Sequence, residues 1–114
     1  MTEYHQSFAA LAVQYWKLCV AFERELGFVS PDRVQPGEAQ LRFSRRRLDS
    51  ILEGEGLRLA TYDGQSWTSD IPASPVNAED ISDAEAAIVD MTIEPTIIRA
   101  NGIVHPGKVT LREI

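Results

Sequence analysis

The feature that most constrains this chain is a run of large residues close to its start. Tyr4, Phe8, Leu11, Tyr15, Leu18 and Phe22 recur at alternating spacings of four and three, the period at which a helix turns one seam toward packed neighbours. A second stripe, Ala9, Val13, Trp16 and Val20, runs beside the first, so the helix is apolar over a wider arc than one partner helix covers. Gly27 directly follows Leu26 and Pro31 comes soon after, the usual punctuation of a helix C-terminus. Residues 30–37 hold two prolines and one glycine and read as a connection. A second helix is expected to start near Pro36 or Glu38, to put Leu41, Leu48, Ile51 and Leu52 on one face, and to end around 54–56. Two antiparallel helices follow, the second shorter than the first and leaving Trp16 and Val20 uncovered. The simplest closure is a two-fold dimer, a four-helix bundle with Phe8, Leu11, Tyr15, Leu18 and Phe22 at the dimerisation seam.

After Gly56 the pattern changes period. Leu57, Leu59 and Thr61 alternate with Arg58 and Ala60, which makes a short strand, and Asp63-Gly64 supplies a turn. Residues 66–75, rich in Ser, Pro and Asp around Trp67, read as irregular; the acidic stretch 77–85 reads as loop or one short helical turn. Ile88, Val89, Met91 and Ile93, then Ile97 and Ile98 beyond Glu94-Pro95, have strand composition. The turn Ala100-Asn101-Gly102 before Val104, Val109 and Leu111 carries Asn-Gly between β-branched runs, the strongest short-range hairpin signal. The expected fold class is therefore α+β: a two-helix hairpin over residues 1–55 that forms the dimeric four-helix bundle, then a small β domain over 56–114. A chain of 114 residues suits one domain with two sub-regions on a shared core.

Several function classes are disfavoured by what the chain contains. A formal charge of −6 works against unaided nucleic-acid binding, which depends on a positive surface that displaces counterions from phosphates. The apolar run from residue 8 to 22 is broken by Gln14 and Lys17 and falls short of a bilayer span, so no membrane segment is expected. Met1-Thr2-Glu3 carries an acid where a secretory signal carries base, and the single Cys19 forms no intramolecular disulfide, which fits a reducing compartment. A cytoplasmic protein is the expectation.

Catalytic and metal-binding sets are thin. His5 and His105 stand a hundred residues apart with no spaced acid or thiol to complete a metal site, so His5 reads as an exposed imidazole and His105 as a polar edge residue. Cys19, on an apolar helix, reads as a buried small hydrophobe. Gly54-Glu55-Gly56 lacks the following Lys-Ser/Thr of a phosphate loop. Glu79, Asp80, Asp83, Glu85 and Asp90 lack the glycine and alternating oxygens of a calcium loop. No cofactor, no metal and no enzymatic activity are expected. One cluster stands out: Arg42, Arg45, Arg46 and Arg47 put four guanidinium groups on little more than one helical turn. They either pair with Asp49 and Glu53 along the helix or dock an acidic partner.

From about residue 48 to 111 the chain resembles GrpE, the nucleotide exchange factor of DnaK-type chaperones. The segment Leu52-Glu-Gly-Glu-Gly56-Leu-Arg-Leu59 is similar to the family's junction, where a Leu-rich helix end meets a first strand opened by Gly. Trp67-Thr-Ser-Asp70-Ile-Pro72 is a loose counterpart of the aromatic or Leu before Asp-Pro. Val104-His105-Pro106-Gly107-Lys108-Val109-Thr110-Leu111 is similar to a terminal segment of the type Arg-Pro-Ala-x-Val-x-Val. There are departures. Ala73-Ser74-Pro75-Val76 stands where the family has His-Glu-Ala-Val, Pro95-Thr96 where it has Gly-Tyr, and His105 where Arg is usual. The family's long N-terminal coiled coil has no counterpart. The resemblance implies a dimer whose β domain docks on the chaperone's nucleotide-binding domain and opens its cleft to release ADP, with no covalent chemistry. It implies a partner-binding face around Met91, Ile93 and Leu111, to which Arg45, Arg46 and Arg47 at the nearby helix end add charge. The alternative is an adaptor on the same fold that has lost exchange activity and binds another protein.

Overall fold

A computed structural model describes residues 2–82 and 86–114. Two long helices, α1 (Thr2–Leu26) and α2 (Pro31–Gly54), form a hairpin, and six strands follow: β1 (Leu57–Ala60), β2 (Ala73–Pro75), β3 (Ala87–Glu94), β4 (Thr96–Arg99), β5 (Gly102–His105) and β6 (Gly107–Glu113). The fold is α+β, with the helical hairpin preceding a small C-terminal β region.

The connection between the helices is much tighter than 30–37. Ser30 is the N-cap in extended conformation and Pro31 opens α2, where a proline costs nothing because the first helical N–H groups have no partner. The pattern-based start near Pro36 or Glu38 is thus one to two turns late, and Pro36 sits inside the helix. It is tolerated so near the N-terminus because only one carbonyl of the first turn loses its bond. The two helices are therefore nearly equal, 25 and 24 residues. Leu41, Leu48 and Leu52 form the buried face of α2, while Ile51 lies at its margin, 37% exposed.

The strands form two three-stranded sheets, with orders β1-β4-β5 and β2-β6-β3. Pairing is antiparallel except between β2 and β6, which run parallel. Asp63-Gly64 makes a turn with Gly64 at φ +83°, a conformation that only glycine takes up cheaply. The β4–β5 hairpin is present, but Ala100 and Asn101 form its tip and Gly102 is already paired with Arg99. The irregular stretch after Trp67 ends in a short strand, β2, which the sequence pattern misses because its three residues Ala73–Pro75 have no strand composition. A 3-10 turn, Ala78–Asp80, occupies the acidic region; Asp83 and Glu85 fall outside the described residues. Gly107 opens β6 where a Cβ would meet Thr96 Oγ1 at 2.7 Å and the Glu94 carbonyl at 2.9 Å, so the two sheets can approach here only over a glycine.

Among the described residues there are two cores, and the first draws on both sides of 55/56. Ala9, Ala12 and Val13 of α1 and Leu48 and Leu52 of α2 pack with Leu57 of β1 and Ile97 of β4. The second joins Tyr62, Ala87, Val89, Val109 and Leu111. The helical hairpin thus buries its inner face on the first sheet as any amphipathic layer must. That corrects the assignment of stripes on α1. The second stripe, with Trp16 and Val20 expected to be left over, is the inward one: Ala9 and Val13 lie in the core, Trp16 packs against it and Val20 is half-buried. The seam of large residues divides. Phe8 and Tyr15 pack against the core, while Tyr4, Leu11, Leu18 and Phe22 are 56%, 70%, 72% and 40% exposed. Small residues win the inner face because they let α1 approach α2 and the strands closely, and the bulkier seam is turned outward. The result is flat, 45 × 39 × 17 Å, with one face of the hairpin uncovered.

Candidate functional site

Where the hairpin meets the strands a groove of about 410 Å³ opens. Trp16 and Val20 of α1, Leu48 of α2, Leu59 of β1 and Met91 of β3 form its apolar lining, and Glu23, Arg45, Asp49 and Asp63 supply charge. These residues come from α1, α2, β1, the turn after β1 and β3. The structure therefore brings Arg45 and Met91, two of the residues expected to bind a partner, into one concave surface. Met91 is 46% exposed, although its strand neighbours Val89 and Thr92 are buried. It is thrown outward by the bulge that shifts the β3–β6 register between Val89 and Met91.

The other expected residues fare differently. Ile93 is half-buried on β3. Leu111 is 3% exposed, paired across from Val89 inside the second core, and so cannot be part of a docking face. The expectation fails because Leu111 falls on the inward phase of β6, with Val109, in a strand whose buried and exposed residues alternate. Arg46 and Arg47 are exposed, whereas Arg45 is half-buried and its Nη2 lies 3.0 Å from Glu23 Oε1 on α1. The arginine cluster thus spends one charge across the hairpin instead of on Asp49 or Glu53.

Two polar clusters lie along β3, the first of them in the groove's lining. Asp63 Oδ1 accepts from the backbone N–H of Thr92 at 3.2 Å and from its hydroxyl, and Tyr62 N–H donates to Thr92 Oγ1 at 3.0 Å. The Tyr62 hydroxyl in turn lies 2.9 Å from Thr96 Oγ1, which donates to the Pro72 carbonyl. Two residues along β3 from Thr92, Glu94, its side chain 14% exposed, receives Lys17 Nζ at 3.1 Å and His105 Nε2 at 3.1 Å, with Lys108 Nζ at 4.0 Å. Burial alone would raise the Glu94 pKa, but Lys17, His105 and Lys108 together hold it below the usual carboxylate range. This tie fastens α1 to β3, β5 and β6. Its sequence signal is slight: Lys17 interrupts an apolar helix, and a lone cation in such a setting calls for an acid, but nothing names residue 94 as that acid.

The uncovered face of the hairpin is a second candidate surface. An apolar depression of about 290 Å³ runs between the helices, lined by Tyr15, Leu18, Cys19, Phe22 and Leu41. Tyr15 Oη donates to the Ser44 carbonyl at 2.8 Å, which fixes the helix pairing beneath it. Cys19 is buried, and burial pushes its thiol pKa up against the opposing charge of Arg45, so the thiolate that reactive chemistry needs is disfavoured. His5, expected to be exposed, is half-buried against the β4–β5 hairpin. His105 is on the edge strand β5, in keeping with a polar edge role. Among the described residues no helix is long and apolar enough to cross a membrane. Comparison with models of protein families, with curated proteins and with solved structures finds no match for this chain.

Proposed function

We propose that this chain is a GrpE-like co-chaperone: a homodimer that binds the nucleotide-binding domain of a DnaK-type ATPase and promotes ADP release. The observation that carries this reading is the junction at 52–59. The residues similar to the family's helix-to-strand transition are the ones at which α2 ends, at Gly54, and β1 begins, at Leu57. The concave surface around Met91 and Arg45 lies directly beside that junction, and it combines an apolar floor with a charged rim, the usual make-up of a recognition surface. The exposed Tyr4, Leu11, Leu18 and Phe22 form a face that a second copy would cover, with Phe8 and Tyr15 behind it. Exchange needs no catalytic group, only tighter binding to the open state of the ATPase than to the closed one.

One observation favours the alternative, an adaptor without exchange activity. His105, at the position where the family has Arg, is engaged with Glu94 and is not free to reach a partner. Calorimetric titration of the dimer into the ATPase domain, nucleotide-free and ADP-saturated, separates the readings. An exchange factor binds the nucleotide-free domain at least about tenfold more tightly, a difference of about 1.4 kcal/mol. An adaptor of other specificity binds neither, and that result removes the proposal.

A further inference from the structure

The first sheet ends at β1, which pairs with β4 on one side only. Among the described residues no backbone–backbone hydrogen bond outside that ladder involves residues 57–60, so every second N–H and C=O of β1 points outward without a backbone partner. A hollow of about 220 Å³ lies along the strand, lined by Leu57, Arg58 and Leu59 of β1 and by Asp49, Leu52 and Glu53 of α2. Successive strand residues point to opposite faces, so a hollow that touches three in a row flanks the strand's edge. No residue of β4 lines it, which makes it the free edge. Ser82 and Ala87, which bracket 83–85, are both held at Glu113 in the second sheet, and neither lines the hollow. The hollow shares Asp49 and Leu59 with the groove at Met91, so the two adjoin and together follow β1 from Leu57 to Thr61.

The charge along this edge is mostly negative. Asp49 and Glu53 stand one turn apart on α2, both exposed, and neither enters an ion pair among the described residues; Arg45, one turn before Asp49, is taken by Glu23. Arg58 falls on the opposite face of β1 from Leu57 and Leu59, which pack toward the helices. We propose that the free edge of β1 binds an extended peptide segment of a partner protein, with Lys or Arg beside Asp49 and Glu53 and an apolar side chain beside Met91. Main-chain bonds to β1 hold such a segment, and its alternate side chains, turned toward the helices, select it. The four residues of β1 span about 13 Å, so the paired segment is short. A second copy of this chain is disfavoured as the occupant, because a two-fold β1–β1 pairing sets Asp49 and Glu53 against the same acids. The site does not depend on the co-chaperone reading, since it asks only for a strand-forming segment of this chemistry.

The test is fluorescence anisotropy of a labelled heptapeptide, Thr-Lys-Thr-Leu-Thr-Lys-Thr, titrated with the full chain at low salt. Saturation is expected, weakened at least about tenfold when both lysines of the peptide are replaced by Glu. The double variant Asp49→Asn, Glu53→Gln, whose side chains are exposed and outside both cores, is expected to bind about fivefold more weakly. Two N-methylated peptides identify the strand pairing. An added strand turns one edge to β1 and the other to solvent, so methylation at the Lys and Leu nitrogens and methylation at the Thr nitrogens have opposite effects: one abolishes binding and the other spares it. No saturation, equal binding of the Glu peptide, unchanged binding in the double variant, or the same response from both methylated peptides would overturn the proposal.

Discussion

Replacing Leu18 with Glu separates folding from self-association, because the structure puts this side chain outside both cores. Leu18 is 72% exposed on the chain alone, so the substitution is expected to change the stability of an isolated chain by no more than about 0.5 kcal/mol. In a dimer that covers the hairpin's outer face, the same residue is buried twice. Full burial of a leucine is worth roughly 1.5–3 kcal/mol. The 72% still available gives about 1–2 kcal/mol per chain and about 2–4 kcal/mol per two-fold interface. Lost burial alone then weakens dimerisation by roughly 30- to 700-fold, and two unpaired carboxylates in the seam weaken it further. Sedimentation equilibrium from submicromolar to tens of micromolar chain measures this directly. The parent is expected to sediment as a dimer at micromolar concentration, and Leu18→Glu as a folded monomer with an unchanged circular dichroism spectrum. A parent that stays monomeric, or a variant that dimerises as tightly as the parent, would refute the assignment of this face. An unfolded variant would refute the structural placement of Leu18 itself.

Leu52→Ala, at a side chain with 0% exposure in the first core, should cost about 2–5 kcal/mol in denaturant unfolding, whereas Ile51→Ala at the margin should cost far less. Glu94 has its pKa lowered in the folded state, so its contribution to stability is present at neutral pH, above the unfolded-chain value, and is lost as pH falls through the folded value. Glu94→Gln should therefore destabilise at pH 7, by about 1–3 kcal/mol given that Lys17 and Lys108 are partly solvated, and parent and variant should converge in acid; a constant gap across pH would refute the tie. Converting Arg45, Arg46 and Arg47 to Ala should slow association with the ATPase domain and flatten its salt dependence, measured by stopped-flow at several ionic strengths, with the smallest share from Arg45, which already faces Glu23.

The helices and the terminal hairpin are legible in the sequence because they rest on periodicity and turn chemistry, which act locally. Which stripe of α1 faces inward is not legible that way. Both stripes have helical period, and the choice depends on the first sheet, whose Leu57 and Ile97 accept the small residues Ala9, Ala12 and Val13 at close range. The start of α2 was obscured by Pro36, a breaker in most settings but one that the second turn of a helix can hold. Met91 and Leu111 look alike as apolar strand residues. A bulge in β3 sends the first outward while plain alternation keeps the second in, and bulges have no sequence signature here. Arg45 and Met91 could be named as candidates, but their meeting in one groove with Trp16 is a product of tertiary packing. The Glu94 tie joins residues 77 positions apart and lies beyond any local rule.

The proposed function requires the concave surface at Met91 to engage a DnaK-type ATPase domain and expel its nucleotide. It is tested most directly by stopped-flow release of fluorescent ADP from that domain, mixed with excess unlabelled ATP and increasing concentrations of this chain. The release rate is expected to rise and saturate with the parent chain. Met91→Asp, a change at a side chain 46% exposed and so compatible with folding, is predicted to return release to its intrinsic rate. A release rate indifferent to the parent chain at saturating concentration, or one accelerated equally by folded Met91→Asp, would contradict it.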